Sequence, residues 1–333
     1  MNAKKRMGDV LRQYAIILVL IALVLLFTTI NPQFINIENI LQIIRNISIY
    51  GIIAVGMTFC LISGGLDLSV GTISGLSVVV MAIFIIQLGL PVYVAVIAAL
   101  ISGTIIGAIN ATVIIEFNVP PFIATLATME AFRGIVYVLT GAKPIFGYDL
   151  SFTTVGQGVF LGIPIPIYIF LIIFFIGWFM LTKTTYGRYV YGIGSGEEVS
   201  VLSGINVKKI KYIVYIINGL LSAFAGIILA SRLNSGQPRA GDGYEFEVIT
   251  ACVLGGVSIA GGEGKLGGVL VGLLITGALN NGLIMAGVTE YYKMIITGAV
   301  LIIAVGFDAT SRKLRAAKAE ISLEDIEKER YAG

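Results

Sequence analysis

The chain of 333 residues contains no histidine, two cysteines and one tryptophan, and only 12% of its residues are charged. Without histidine there is no Ser-His dyad, no HExxH zinc site and no histidine proton relay. Cys60 and Cys252 both fall inside apolar runs, which argues against a disulfide or a thiolate metal site; the sequence implies no metal and no cofactor. No GxxxxGK[ST] stretch occurs, so the chain has no Walker A loop of its own. The single GxGxxG, Gly262 to Gly267, follows no strand and lies between apolar runs, and it reads as a turn. A net charge of +3 is too small to argue for nucleic acid.

What fills the sequence instead is apolar: 57% hydrophobic residues and a mean hydropathy of +0.96. A soluble domain carries about 25% charged residues, so the expected fold class is all-α, a polytopic integral membrane protein. The run from Ala15 to Ile30 lacks a small-residue cleavage site and reads as an uncleaved first span. Spans are expected at Tyr14 to Ile30, Ile47 to Ile62, Leu68 to Leu88, Val92 to Ile115, Pro121 to Thr140, Pro164 to Thr182, Tyr212 to Ala230, Glu247 to Ile259, Leu266 to Ala286 and Tyr291 to Phe307. That makes about ten, the eighth short and kinked or re-entrant at Gly255 and Gly256. This divides the chain into an arm (1–13), a membrane domain (14–307) with a long inner loop (183–211), and a charged tail (308–333). With both termini inside, sixteen of the 22 Lys and Arg fall on the inner side, as the positive-inside rule requires.

Polar interruptions mark the candidate path. Gly64, Gly65, Asp67 and Ser69 break the apolar pattern between two spans, and a carboxylate there survives only facing protein or water. Thr125, Thr128 and Glu130 offer polar groups on the fifth span. Glu130 and Arg133, three apart on one helical face, can pair. Two readings stand for the pair, a structural ion pair that fixes packing or a lining of the path, and for Asn280 and Asn281 interhelical glue is the stronger reading. The stretches Gly64 to Gly75 and Gly241 to Gly256 each place glycines and an acidic residue before a small-residue-rich span, near opposite faces, as an inverted repeat would. In the long inner loop, Ser195 precedes Glu197 and Glu198, which suit a first helical turn; apolar Val199, Val201 and Leu202 follow, and Gly204 stops the helix. The outer segment from Gly141 to Ile163, with Pro144, Tyr148, Asp149 and Gln157, reads as a surface loop.

GMTFCLISGGLDLSVGTISGL, PPFIATLATMEAFRG, YGRYVYGIGSGEEVSVLSGINVKKIKY and PRAGDGYEFEVITACVLGGVSIAGGEGKLGGVLVG resemble, in order, the permease subunit of ribose-type ATP-binding-cassette sugar importers. The resemblance covers about Ile40 to Phe307 and leaves out the tail. It implies a bacterial inner-membrane protein that is not itself an enzyme. The implied partners are a second permease chain, cytoplasmic ATPase subunits and an extracytoplasmic sugar-binding protein. It further implies that Gly196, Glu197, Glu198, Val199, Val201, Leu202 and Gly204 form the helix that couples to the ATPase. Related importers of quorum-signal sugar derivatives or branched-chain amino acids share much of the pattern. A proton-coupled secondary transporter, using Asp67 and Glu130 as carriers, is the alternative from a different class.

Overall fold

A computed structural model describes the backbone of residues 3–148 and 150–331, and the side chains of 16–148 and 152–310. Asp149, the basic arm and the charges of the tail beyond residue 310 lie outside the described side chains. The elements in order are α1 (Ala3–Ile30), α2 (Ile37–Ile62), α3 (Val70–Ala82), α4 (Val92–Ile115), α5 (Pro121–Thr140), α6 (Leu150–Gln157), α7 (Ile165–Lys183), α8 (Thr185–Ser195), α9 (Glu197–Leu202), α10 (Val207–Leu233), α11 (Tyr244–Leu254), α12 (Leu266–Met285) and α13 (Glu290–Tyr331). A π-helical turn, Ile83–Gln87, extends α3. The strands are two-residue ladders: Ile145–Phe146 pairs with Ser235–Gly236, and Val159–Phe160 with Ile163–Pro164.

Among the described residues, eight helices are long and apolar enough to cross a membrane: α2, α3 with its π turn, α4, α5, α7, α10, α12 and the first half of α13. The expected first span runs within α1, whose described apolar part is Ile16–Ile30. One other expected span differs. The eighth is α11, whose 11 residues rise about 16 Å against a hydrocarbon core of about 30 Å. The short helix does not cross by itself, and Gly255 and Gly256 end it where a kink or re-entrant turn was expected. Helix α13 continues through residue 308 to Tyr331, so no break in the backbone marks the start of the tail.

Local chemistry explains the boundaries. The side chains of Asn36 and Asn206 accept from the backbone N–H groups of Glu38 and Lys209 and so cap α2 and α10. Pro120 and Pro121 start α5, and Gly141, at φ 58°, ends it. The core lies around α10, which packs against α2, α3 and α4. Small residues let these helices approach: a Cβ on Gly107 would stand 2.4 Å from the Tyr215 carbonyl oxygen, and one on Gly219 2.2 Å from that of Gly103.

Two corrections concern the long loop. It holds two helices, α8 and α9, where one was expected. Ser195 does not start α9; it ends α8, its Oγ donates to the Tyr191 carbonyl at 2.9 Å, and Gly196 occupies the N-cap without a side-chain bond. A serine hydroxyl in a helix bonds its own preceding turn when that turn is already formed. The outer segment likewise contains α6 and the short ladders.

Candidate functional site

The break after α2 closes on itself. Gly64 turns the chain at φ 79°, and Gly65 leaves room for the Tyr215 hydroxyl, which a Cβ would meet at 2.6 Å. The carbonyls and amides freed by the break need partners. Thr125 supplies them: its Oγ1 accepts from Leu68 N at 3.1 Å and donates to a carbonyl oxygen, the nearest candidates being Pro121 at 2.8 Å and Leu66 at 3.3 Å.

Asp67 is fully buried and ringed by neutral donors. Its Oδ1 accepts from Ser69 N (2.9 Å), Ser69 Oγ (2.6 Å) and Asn110 Nδ2 (3.4 Å), and its Oδ2 from Asn218 Nδ2 (2.9 Å). Asn110 also donates to Ser69 Oγ and accepts from Thr128 Oγ1. The carboxylate thus ties the break to α4, α5 and α10 from inside the protein. Of the residues expected here, the structure brings Gly64, Gly65, Asp67, Ser69 and Thr125 together. Asn110 and Asn218 were missed, though each is the single asparagine of its span.

Glu130 and Arg133 stand apart from this cluster. Arg133 Nη1 lies 3.3 Å from Glu130 Oε1, as the i,i+3 spacing suggests. Two further carboxylates join, Asp242 from the loop ahead of α11 and Glu245 from its first turn: Asp242 Oδ1 lies 3.5 Å from Arg133 Nε, and Glu245 Oε1 3.9 Å from Nη2. The acidic stretch around Gly241 was noticed as a repeat and not as a partner for span five. Asn281 and Asn39 exchange reciprocal amide bonds at 3.0 Å between α12 and α2, and Asn280 donates to Glu247 on α11 at 2.9 Å, so both asparagines join helices.

At the other end, α9 is a six-residue helix whose apolar residues face outward: Val199, Val201 and Leu202 are 67%, 56% and 87% exposed. Ser200 is the residue it buries. Glu197 binds Lys211, which ties α9 to the base of α10. Beside that pair lies a cavity of about 420 Å³, lined by Gly64, Asn118, Pro120, Glu197, Lys208 and Lys211. It touches the turn before Asp67, the start of α5 and α9 at once. Helix α8 anchors the assembly. Gly194 packs on the end of α2, and Tyr191 donates to the Gly264 carbonyl at 2.7 Å; burial pushes the Tyr191 phenol up from its ordinary value. The glycine turn after α11 joins the same point, Gly262 N donating to the Ile62 carbonyl at 2.8 Å, with Gly261, Gly262 and Gly264 all at positive φ.

No solved structure matches the chain. Sequence comparisons do. The chain is 43% identical to the ribose import permease protein RbsC of Haemophilus influenzae over 298 residues, which covers 88% of this chain and 91% of that protein. It is 44% identical to RbsC of Bacillus subtilis over 291 residues, covering 87% and 90%. With the L-arabinose transport system permease protein AraH of Escherichia coli the identity is 37% over 308 residues, covering 92% and 94%. Residues 39–305 match the family described as branched-chain amino acid transport system / permease component. A bundle of apolar helices with two glycine-rich breaks, matched over this length, places the chain in that permease-component family.

Proposed function

We propose that the chain is the permease subunit of an ATP-binding-cassette importer, forming with a second permease chain the path for a monosaccharide of the ribose class. An extracytoplasmic binding protein delivers the sugar, separate ATPases work on the α9 side, and that side faces the cytoplasm of a bacterium. Relatives named for ribose and arabinose import support the substrate class. The observation that carries the reading is α9, a helix outside the spans with its apolar residues exposed and its base held to α10 by an ion pair. Such a helix has a use when a partner covers it. The cavity behind it adjoins the Asp67 turn and the start of α5, so a push on α9 reaches both without a long lever. Asp67 then acts within the wall, holding the break in shape. Buried among neutral donors, it is poorly placed to carry protons between two aqueous faces.

Val199→Asp and Leu202→Asp test the reading. Losing an apolar anchor and burying an unpaired charge costs about 3 kcal/mol or more, a hundredfold in affinity. Copurification of the ATPase and ATP-driven uptake of D-ribose both fall, while the spans remain intact. Unchanged copurification and uptake in both variants overturn the docking role. Uptake driven by a proton gradient with no ATPase present overturns the importer class.

A further inference from the structure

The charges around Arg133 are more than an internal ion pair. Glu130 is the tenth of the 20 residues of α5, about 14 Å along a span about 30 Å deep, so its carboxylate stands near the midpoint of the membrane. Its side chain is nevertheless 62% exposed. Arg239, 3.5 Å from the second oxygen of Asp242, is 84% exposed, and Asp242 is 33% exposed. Hydrocarbon does not tolerate that: a charge at the centre of a bilayer costs about 2.5–3.5 kcal/mol at the least. On α7, by contrast, the outward residues at similar depth are Ile172, Phe175 and Phe179, with no charge among them. Exposed charge at this depth therefore sits on the α5 side and not on the α7 side.

The polar face is also held in place by design of the backbone. The carbonyls of Ala240 and Gly241 rest on Gly75 and Gly71 of α3, where a Cβ would stand 2.3 and 2.5 Å from them. Only glycine at those positions lets the loop carrying Arg239 and Asp242 seat against α3. Behind it Glu245, 2% exposed, keeps Oε2 without a hydrogen-bond partner and turns Oε1 toward Arg133. Arg133 thus has carboxylates on three sides, one of them hydrogen-bonded, while its Nε is left without a hydrogen-bond partner.

Resting on the importer reading, we propose that Glu130, Asp242 and Arg239 form a hydroxyl-binding girdle midway along the path, with Arg133 as the residue that positions it. A neutral polyol carries a donor and an acceptor on nearly every carbon. Carboxylates take its hydroxyl protons and the guanidinium donates to its oxygens, replacing water bond for bond and leaving no deep trap. Glu130, Asp242 and Arg239 carry a formal charge of −1 per chain, and Arg133 with the Glu245 behind it adds none, so the girdle disfavours an anionic sugar derivative.

The test uses the complete complex of two permease chains, ATPases and binding protein in proteoliposomes, with D-ribose as probe. Glu130→Gln and Asp242→Asn each remove one charged acceptor and lower ATP-driven uptake about tenfold, the worth of one charge-assisted hydrogen bond, while ATP hydrolysis is retained. Because altered charge can also disturb folding, accessibility is measured separately. Glu130→Cys reacts with a water-soluble cationic methanethiosulfonate roughly a hundredfold faster than Phe175→Cys, since the thiolate forms only where water reaches it. Cys60 and Cys252 are both 0% exposed and give little background. Sugar-loaded binding protein slows labelling at Glu130→Cys. Equal labelling of the two cysteine variants, or full uptake by both Glu130→Gln and Asp242→Asn, overturns the girdle. If the parent complex imports sugar with ATP in that case, the importer reading stands; if it does not, both fall.

Discussion

Replacing Asp67 with alanine and with asparagine separates the loss of acceptors from the loss of charge. In the parent, the carboxylate satisfies Ser69 N–H, Ser69 Oγ–H, Asn110 and Asn218, all buried. In Asp67→Ala the Ser69 hydroxyl can rotate, and Asn110 keeps its 2.8 Å bond to Ser69 Oγ. Ser69 N–H and the Asn218 amide are left with nothing to donate to. A stranded buried donor costs about 1–3 kcal/mol, so two give a loss of about 2–6 kcal/mol. Asp67→Asn keeps one oxygen for Ser69 and sets an NH₂ group against the Asn218 NH₂. That clash is relieved by an amide flip of Asn218, whose Oδ1 has no partner in the parent and becomes the acceptor. The flip leaves the Asn218 NH₂ where its Oδ1 stood without a partner, so the asparagine variant strands one buried donor where the alanine variant strands two, and should lose about 1–3 kcal/mol. Thermal unfolding of the two variants in detergent, followed by size-exclusion chromatography, reads the difference. An alanine variant as stable as the parent, or an asparagine variant as damaged as the alanine one, refutes the clasp.

Two other perturbations test the framework. Gly194→Ala sets a Cβ 1.8 Å from the Ile62 carbonyl oxygen and so forces apart α8, the end of α2 and the Gly262 bond to the same oxygen. It should cost about 1–3 kcal/mol and weaken ATPase copurification; parental stability and parental copurification together would remove α8 as an anchor. A double-mutant cycle of Asn39→Ala and Asn281→Ala should give a coupling of about 0.6–1.7 kcal/mol, as hydrogen bonds between membrane helices do, and strictly additive losses would show that the reciprocal amide pair joins nothing.

The sequence by itself determined the membrane class, because hydropathy and the shortage of charge are properties of composition. It also placed Val92 to Ile115 and Pro121 to Thr140 where the helices run, because prolines and glycines punctuate them in the local backbone. It identified Gly64, Gly65, Asp67 and Ser69 as one polar break, and Glu130 with Arg133 as a pair, since those are matters of spacing along one element; that Thr125 of the fifth span closes the break is a matter of packing. The helix α8 was hidden from it: Gly187, Gly192 and Gly194 read as loop residues, yet Gly194 is what lets α8 lie against α2. Tertiary structure alone decided which groups face the charges. Asn110 and Asn218 lie 43 and 151 residues from Asp67, and Asp242 in the loop and Glu245 in the first turn of α11 reach Arg133 because the loop seats on Gly71 and Gly75. A buried charge must be satisfied, and the sequence announces that need; which distant side chain satisfies it depends on how the helices pack.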